Sequence, residues 1–434
     1  MEPRTSHIKG LVCRECGRAY PADPVHVCEF CFGPLEVDYD KDVLRDVVSR
    51  ERIGAGPASL WRYRDLLPID TGFDVQVGRS NGLTPLVRAQ NLAEALGVRE
   101  LYVKNDTVCP PTLSFKDRVV AVAVNTAIAF GYETIGCAST GNLANSVAAH
   151  AAAAGLGSVI FIPADLEPGK VVGTGVYRPH LVAVEGTYDQ VNRLASEVAD
   201  ERGWAFVNVN LRPYYAEGSK TFAYEIAEQL GWRAPGHLVV PAAGGSLINK
   251  IWKGLSQFRE LGLIDGLSTR IHAAQAAGCG PIVSSILADD SQLRPVRQPA
   301  TIAKSLAIGD PADGRYAYGA VKASHGHGAH ATDDEIRDGI ELLASTEGIF
   351  AETAGGVTVA ATKKLIDQGI IPRDASIVVA VTGNGLKTQE ALSGALQPSI
   401  RIEPSRRAFD DAFDATTARP ASAAQPARVQ ASSP

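Results

Sequence analysis

From about residue 84 onward, short β-branched apolar runs alternate with longer stretches of helical period. Residues 101–104 are followed by 116–130, 134–138 by 143–154, and 158–162 by a helix after Pro168. Further strands are predicted at 181–184, 206–209, 238–240 and 377–381, and further helices at 191–201, 220–230 and 247–261. Strand–helix alternation sustained over roughly 300 residues predicts parallel, doubly wound sheets with helices on both faces, an α/β fold. Residues 8–40 lack this periodicity and are rich in cysteine and turn residues, so they read as a small N-terminal appendage. Beyond position 405 the chain offers Arg406, Arg407, several acids and then repeated Ala, Pro, Ser and Gln with no apolar face. That composition predicts a disordered tail over 405–434 and leaves 41–404 as the main folded region.

Composition narrows the function. The 434 residues are 45% hydrophobic and 21% charged, with 42 glycines and 25 prolines, close to a soluble average. The formal charge of −6 provides no positive field for nucleic acid, so a small metabolite is the expected partner. The N-terminus has no apolar signal core, and the most apolar window, 147–164, contains His150 and splits into a helix and a strand. A cytoplasmic protein without a membrane span is expected.

Three segments share one design, a strand running into a small-residue turn that opens a helix. They are Ala138-Ser139-Thr140-Gly141-Asn142, Pro241-Ala242-Ala243-Gly244-Gly245-Ser246 and Thr382-Gly383-Asn384-Gly385. In a doubly wound sheet such turns gather at the carboxyl ends of the strands, where helix N-termini offer free amides to anions. Together they point to a phosphate-bearing cofactor. None matches the P-loop pattern and no G-x-G-x-x-G opens a helix, which argues against a nucleotide.

Lys116 lies in Pro111-Thr112-Leu113-Ser114-Phe115-Lys116-Asp117-Arg118 at the start of a predicted helix. The positive end of the helix dipole disfavours an ammonium there and favours the neutral amine that condenses with a carbonyl cofactor. The plain alternative is a surface lysine paired with Asp117.

These blocks, with the Gly244-Gly245 turn before Trp252-Lys253-Gly254, Glu347-Gly348-Ile349-Phe350-Ala351-Glu352 and Thr382-Gly383-Asn384-Gly385-Leu386-Lys387, stand in the order seen in threonine synthases. The chain resembles that family over roughly residues 13–392. The resemblance implies a fold-type II pyridoxal-phosphate enzyme, built like the tryptophan synthase β subunit from two interleaved α/β domains. It implies that Lys116 holds pyridoxal phosphate and acts as the base, that Asn142 faces the cofactor's phenolic oxygen, and that Ala243, Gly244, Gly245, Ser246 and Leu247 cradle its phosphate. Thr382 would face the pyridine nitrogen, where a hydroxyl leaves the ring a milder electron sink than a carboxylate would. Ser139, Thr140, Arg212 and Lys220 would serve the substrate phosphate. The implied reaction is a lyase-type β,γ-replacement that turns O-phospho-L-homoserine and water into L-threonine and phosphate, with a homodimer as an assembly it allows. The chain departs from the family at Leu113, where many relatives carry glycine, and at residues 245–247, where many carry asparagines and a further glycine.

The cysteines Cys13, Cys16, Cys28 and Cys31 form two Cys-x2-Cys pairs, with Gly17 and Gly33 beside them. Four thiolates in that pattern fit a closed tetrahedral zinc site of structural type. His26 could replace one ligand, and a knuckle that has lost its metal is the alternative. Cys109, Cys137 and Cys279 read as small apolar packing groups. Two rivals keep parts of this picture: another fold-type II lyase, such as a threonine or serine dehydratase or a cysteate-synthase-like enzyme, and a non-catalytic zinc-ribbon binding protein.

Overall fold

The computed structural model describes residues 7–417 apart from positions 140, 165, 167, 187 and 395. Packing divides the chain into two units, Met1–Thr388 and Gln389–Pro434. In the first, β1 (Ile8–Cys13), β2 (Ala19–Tyr20) and β3 (Leu35–Tyr39) make a small antiparallel sheet of order β2-β1-β3. Leu35, Val37 and Tyr39 alternate inward on β3, the period-two burial expected of a strand with one face against the core.

The rest of this unit holds the remaining strands: β4 (Leu86–Arg88), β5 (Glu100–Asn105), β6 (Thr134–Ala138), β7 (Gly157–Pro163), β8 (His180–Val184), β9 (Ala205–Phe206), β10 (His237–Pro241), β11 (Arg270–Ala276), β12 (Gly328–Ala331) and β13 (Ser376–Val381). They form two sheets, ordered β12-β11-β10-β13-β5-β4 and β8-β7-β6-β9. All pairings are parallel except β4 on β5. The smaller sheet uses one continuous stretch of chain, whereas the larger takes strands from both sides of it, which interleaves the two layers. Strands buried on both faces read as continuous apolar runs, as Ile377 to Val381 do here.

Several boundaries differ from expectation. The strand predicted at 206–209 ends at Phe206, because Asn210 Oδ1 accepts from the Phe206 amide at 2.8 Å and turns the chain. Helix Asp333–Glu347 opens with a capping box in which Thr332 and Glu335 satisfy each other's backbone amides. In the second unit, part of the segment expected to be disordered forms helix Arg406–Thr417, while 418–434 lie outside the described residues. Ser405 Oγ accepts from the Ala408 amide, Arg406 and Arg407 pair one turn along with Asp410 and Asp411, and Phe409 stacks on Phe413. Local spacing of this kind favours a helix without any large apolar face.

Helix Lys116–Ala129 is buried almost all round, and its charged residues have to be satisfied internally. Arg118 is fully buried between Asp106, at 2.7 Å, and Glu225, while Lys104 reaches Glu225 Oε2 at 2.7 Å. Burial alone would raise the Glu225 carboxyl, yet the Arg118 guanidinium and the Lys104 ammonium hold it down at about 2. Removing one partner of a buried pair strands the others, so Glu225→Ala should destabilise the protein by about 3–5 kcal/mol in denaturant unfolding. A depressed carboxyl contributes stability above its unfolded value and loses it on acidification. The contribution should therefore fade as pH drops from about 4.3 towards the folded value, and the variant should lack that part of the acid limb.

Candidate active site

The loop before Lys116 is folded by the residue after it. The buried Asp117 carboxylate accepts from the Thr112 amide at 2.9 Å, from Thr112 Oγ1 at 2.7 Å and from Ser146 Oγ at 2.7 Å. Burial raises its carboxyl, with nearby His150 and the three hydroxyl and amide donors opposing. Asp117 is thus no surface partner for Lys116. The Lys116 ammonium points the other way and donates to the Tyr215 hydroxyl at 3.1 Å. Leu113 keeps the left-handed backbone that glycine would favour, with φ 59°.

This loop is stitched to the end of β13. The Phe115 amide donates to Thr382 O at 2.8 Å and the Asn384 amide to Leu113 O at 3.1 Å. Thr382 Oγ1 reaches Glu352 Oε1 at 3.4 Å, and Asn142 Nδ2, at the start of helix Asn142–Ala154, donates to Glu352 Oε2 at 2.8 Å. Lys116, Asn142 and Thr382 therefore lie in one cluster. Glu352 at its centre was not singled out from sequence, although it ends a quoted block. Burial raises its carboxyl above the usual range, with Asn142 hydrogen bonding and Lys387 opposing. Tyr215 was missed as well, since nothing in the sequence sets it apart from Tyr214. A Cβ on Gly383 would lie 2.4 Å from Glu352 Oε1, so a larger residue there would push this carboxylate out of place.

After β10 the chain turns through Ala243 and Gly244 into Gly245, which has φ 93° and precedes helix Ser246–Glu260. First-turn amides of such a helix have no intrahelical acceptor and suit an anion. Asp313 backs the turn. Its amide donates to Gly244 O at 2.9 Å, and its carboxylate pairs with Arg212 at 2.9 Å. Arg212 shares the short helix Arg212–Glu217 with Tyr215.

The expected substrate-phosphate residues separate. Ser139 is buried, and its Oγ accepts from the Gly141 amide at 3.2 Å, at the mouth of the Asn142 helix. Thr140 lies outside the described residues. Lys220 is not brought to the cleft: it is fully buried, with Nζ at 2.6 Å from Glu217 and 2.8 Å from Leu66 O. Burial lowers it to about 7, with Glu217 opposing. A helix places residues four apart on one face, and Lys220 shares the inward face with Tyr224, over whose ring it sits.

The four cysteines converge, all sulfurs lying within 4.8 Å of one another, with Cys13 to Cys31 at 3.4 Å and Cys16 to Cys28 at 3.7 Å. A tetrahedron of zinc–sulfur bonds places its corners about 3.8 Å apart, so the donor set fits zinc. His26 is not part of this cluster among the described residues. For pyridoxal phosphate, a Cβ on Gly141 or Gly244 would meet nothing within 4 Å, which leaves both helix mouths open. The Ser114 hydroxyl is buried without a partner among the described residues, two positions before Lys116. Open helix mouths, a partnerless hydroxyl and a half-buried amine fit a phosphate-bearing carbonyl cofactor. No helix among the described residues is long and apolar enough to cross a membrane.

Residues 77–383 match the family model described as pyridoxal-phosphate dependent enzyme, and residues 12–36 match one described as NinF protein. The chain is 38% identical to a threonine synthase of Methanocaldococcus jannaschii, over 90% of this chain and 96% of that one. It is 36% identical to a threonine synthase of Mycobacterium tuberculosis, over 76% and 89% respectively. In fold it is similar to the processed form of threonine deaminase isoform 2 from Solanum lycopersicum, with TM-score 0.62 and 20% identity over 82% of this chain and 90% of that one. With such identity across nearly its whole length, and with Lys116 set among Asn142, Thr382 and an open helix mouth, the chain belongs to the pyridoxal-phosphate-dependent enzymes, in the threonine synthase family.

Proposed function

We propose that this enzyme converts O-phospho-L-homoserine and water to L-threonine and phosphate. The observation that carries the reading is the cluster around Lys116, in which the loop before that lysine is stitched to the β13 turn at Thr382 and the Thr382 hydroxyl shares Glu352 with Asn142. Bound there, pyridoxal phosphate supplies the electron sink for negative charge at the substrate's α carbon. Ala243, Gly244, Gly245, Ser246 and Leu247 would hold its phosphate through backbone amides and the Ser246 hydroxyl, with Asn142 and Thr382 orienting its ring. Lys116, as a free amine, would take the α proton and then a β proton, and phosphate would leave from the γ carbon. The same amine would return protons at γ and α around the addition of water at β. Tyr215, 3.1 Å from Lys116 Nζ, would hold that amine in line between transfers. Ser139, Thr140 and Arg212 would take up charge on the departing phosphate.

A second reading concerns the appendage. The spacing of the four sulfurs supports one structural zinc ion held by Cys13, Cys16, Cys28 and Cys31.

Three outcomes are expected. Lys116→Ala should abolish turnover and covalent attachment of the cofactor while the fold persists; borohydride reduction and peptide mapping that label a different lysine would overturn the assignment. O-phospho-L-homoserine should be used with kcat/KM at least ~10²-fold above L-homoserine or L-serine, because polar donors built for a phosphate lose their partners without it. Dominant 2-oxobutanoate formation from threonine, or preference for O-phospho-L-serine, would move the enzyme to another lyase class. Elemental analysis of protein purified without chelator should find about one zinc per chain, and a metal-free result would remove the zinc reading.

A further inference from the structure

The two residues enclosed by the first cysteine pair grip the catalytic body. Arg14 lays its guanidinium on the Tyr316 ring, 3.6 Å from the centroid, and reaches Asp313 Oδ1 at 3.9 Å. Glu15 accepts a hydrogen bond from the Tyr316 hydroxyl. Tyr316 and Asp313 belong to one element, helix Gly314–Ala323 and the residue that precedes it.

Asp313 joins this element to the turn after β10. Its amide holds Gly244 O at 2.9 Å, its carbonyl accepts from Asn249 Nδ2 at 3.3 Å, and its carboxylate takes both Arg14 and Arg212. A Cβ on Gly245 would sit 2.7 Å from Asp313 O, so turn and helix start lie flush and one cannot shift without the other. A cavity of about 500 Å³ lies beside these contacts, lined among others by Arg14, Glu15, Glu36, Asn249, Trp252 and Lys253. The cysteine segment shares the hydrophobic core with the body through Cys13 and Cys28, and Arg14 and Glu15 add discrete polar grips at this wall. Each grip then transmits order only as far as its own backbone is fixed, and a metal-bound Cys-x2-Cys turn fixes the backbone of the two residues inside it.

We propose that the cysteine knuckle is a positioning device for the cofactor-phosphate turn: with its metal bound, Arg14 and Glu15 hold Tyr316 and Asp313, and Asp313 holds Gly244 and Gly245. The proposal rests on reading residues 243–247 as the phosphate cradle. Arg14 acts through Asp313 and is a positioning residue, not a catalytic one.

The test is pyridoxal-phosphate affinity, titrated by visible absorbance into full-length protein stripped of cofactor but retaining its metal. Arg14→Ala should raise the dissociation constant about 3- to 10-fold, the range for losing one partly buried cation–π contact and one long ion pair. The cofactor-free variant should stay folded and melt in a single cooperative transition. Arg14→Lys, which keeps the charge but stacks less well, should fall between, and it serves as the second variant if Arg14→Ala does not fold. Chelating the metal from the unmutated protein should weaken cofactor binding at least as much as Arg14→Ala does, and chelation should have a smaller relative effect in Arg14→Ala. Unchanged affinity in Arg14→Ala, or chelation and substitution effects that simply multiply, would overturn the proposal. If cofactor affinity does not respond to Gly244→Val either, the reading of the cradle fails, and the proposal with it.

Discussion

Three consecutive charged residues at the start of one buried helix fix the geometry of this enzyme. Successive helical side chains diverge by about 100°, so Lys116, Asp117 and Arg118 leave the axis in three directions. Asp117 turns back to tie the preceding loop through Thr112, and Arg118 drives into the core between Asp106 and Glu225. Only Lys116 faces the cleft, where it meets Tyr215. With its two neighbours anchored in the interior, the lysine has one direction left. A catalytic amine needs such fixing, because a small displacement of the base from the proton it takes weakens proton transfer steeply.

Burying that many charges is expensive, and the same volume filled with apolar side chains could be as stable. The ion network instead makes register specific. Arg118 joins three segments at once, those carrying Asp106, Glu225 and Thr84, the last donating from Oγ1 to Asp106 at 2.6 Å and accepting from Arg118 at 2.9 Å. An apolar helix sliding by one turn would lose little, whereas this one would strand two carboxylates and a guanidinium. A second network around Glu217, with Lys220, Lys250 and Lys253, fastens β3 to helix Ser246–Glu260 through Glu36 and Tyr39. The glycine turn after β10 and the cysteine segment are thereby locked to the same frame.

These networks also mark where sequence reading succeeds and where it stops. Strands β5, β6, β7, β10 and β13 were legible because parallel strands buried on both faces are short, largely apolar runs, and the helices after them because of their length. Strands β11 and β12 and helix Thr353–Asp367 leave no legible pattern in the sequence, since their Ala, Gly and Thr residues give almost no contrast between faces. Lys116 stood out by motif. Lys220 was placed in the site by the same kind of argument and lies in the interior, because a motif carries no information on which helix face turns outward. Glu352 and Tyr215 become visible only through contacts between residues more than 90 positions apart. The cysteine spacing points to convergent sulfurs, which the structure brings together, but says nothing about the helix on which Arg14 and Glu15 close.

Strand order explains why turns so far apart in sequence arrive together. In the larger sheet β13 lies between β10 and β5, all three parallel, so their carboxyl ends share one edge. The turn at Thr382 therefore sits between the glycine turn after β10 and the loop that leads from β5 to Lys116. Asn142 comes from the other sheet, following β6, and closes on Glu352 from across the cleft. A ligand attached at Lys116 and held by its phosphate at the Gly244 turn, as proposed, would have to pass Thr382, because that strand stands between the two. The order in which Lys116, Thr382 and Gly244 would meet such a ligand is thus set by the topology, and side chains are left to decide only the chemistry at each point.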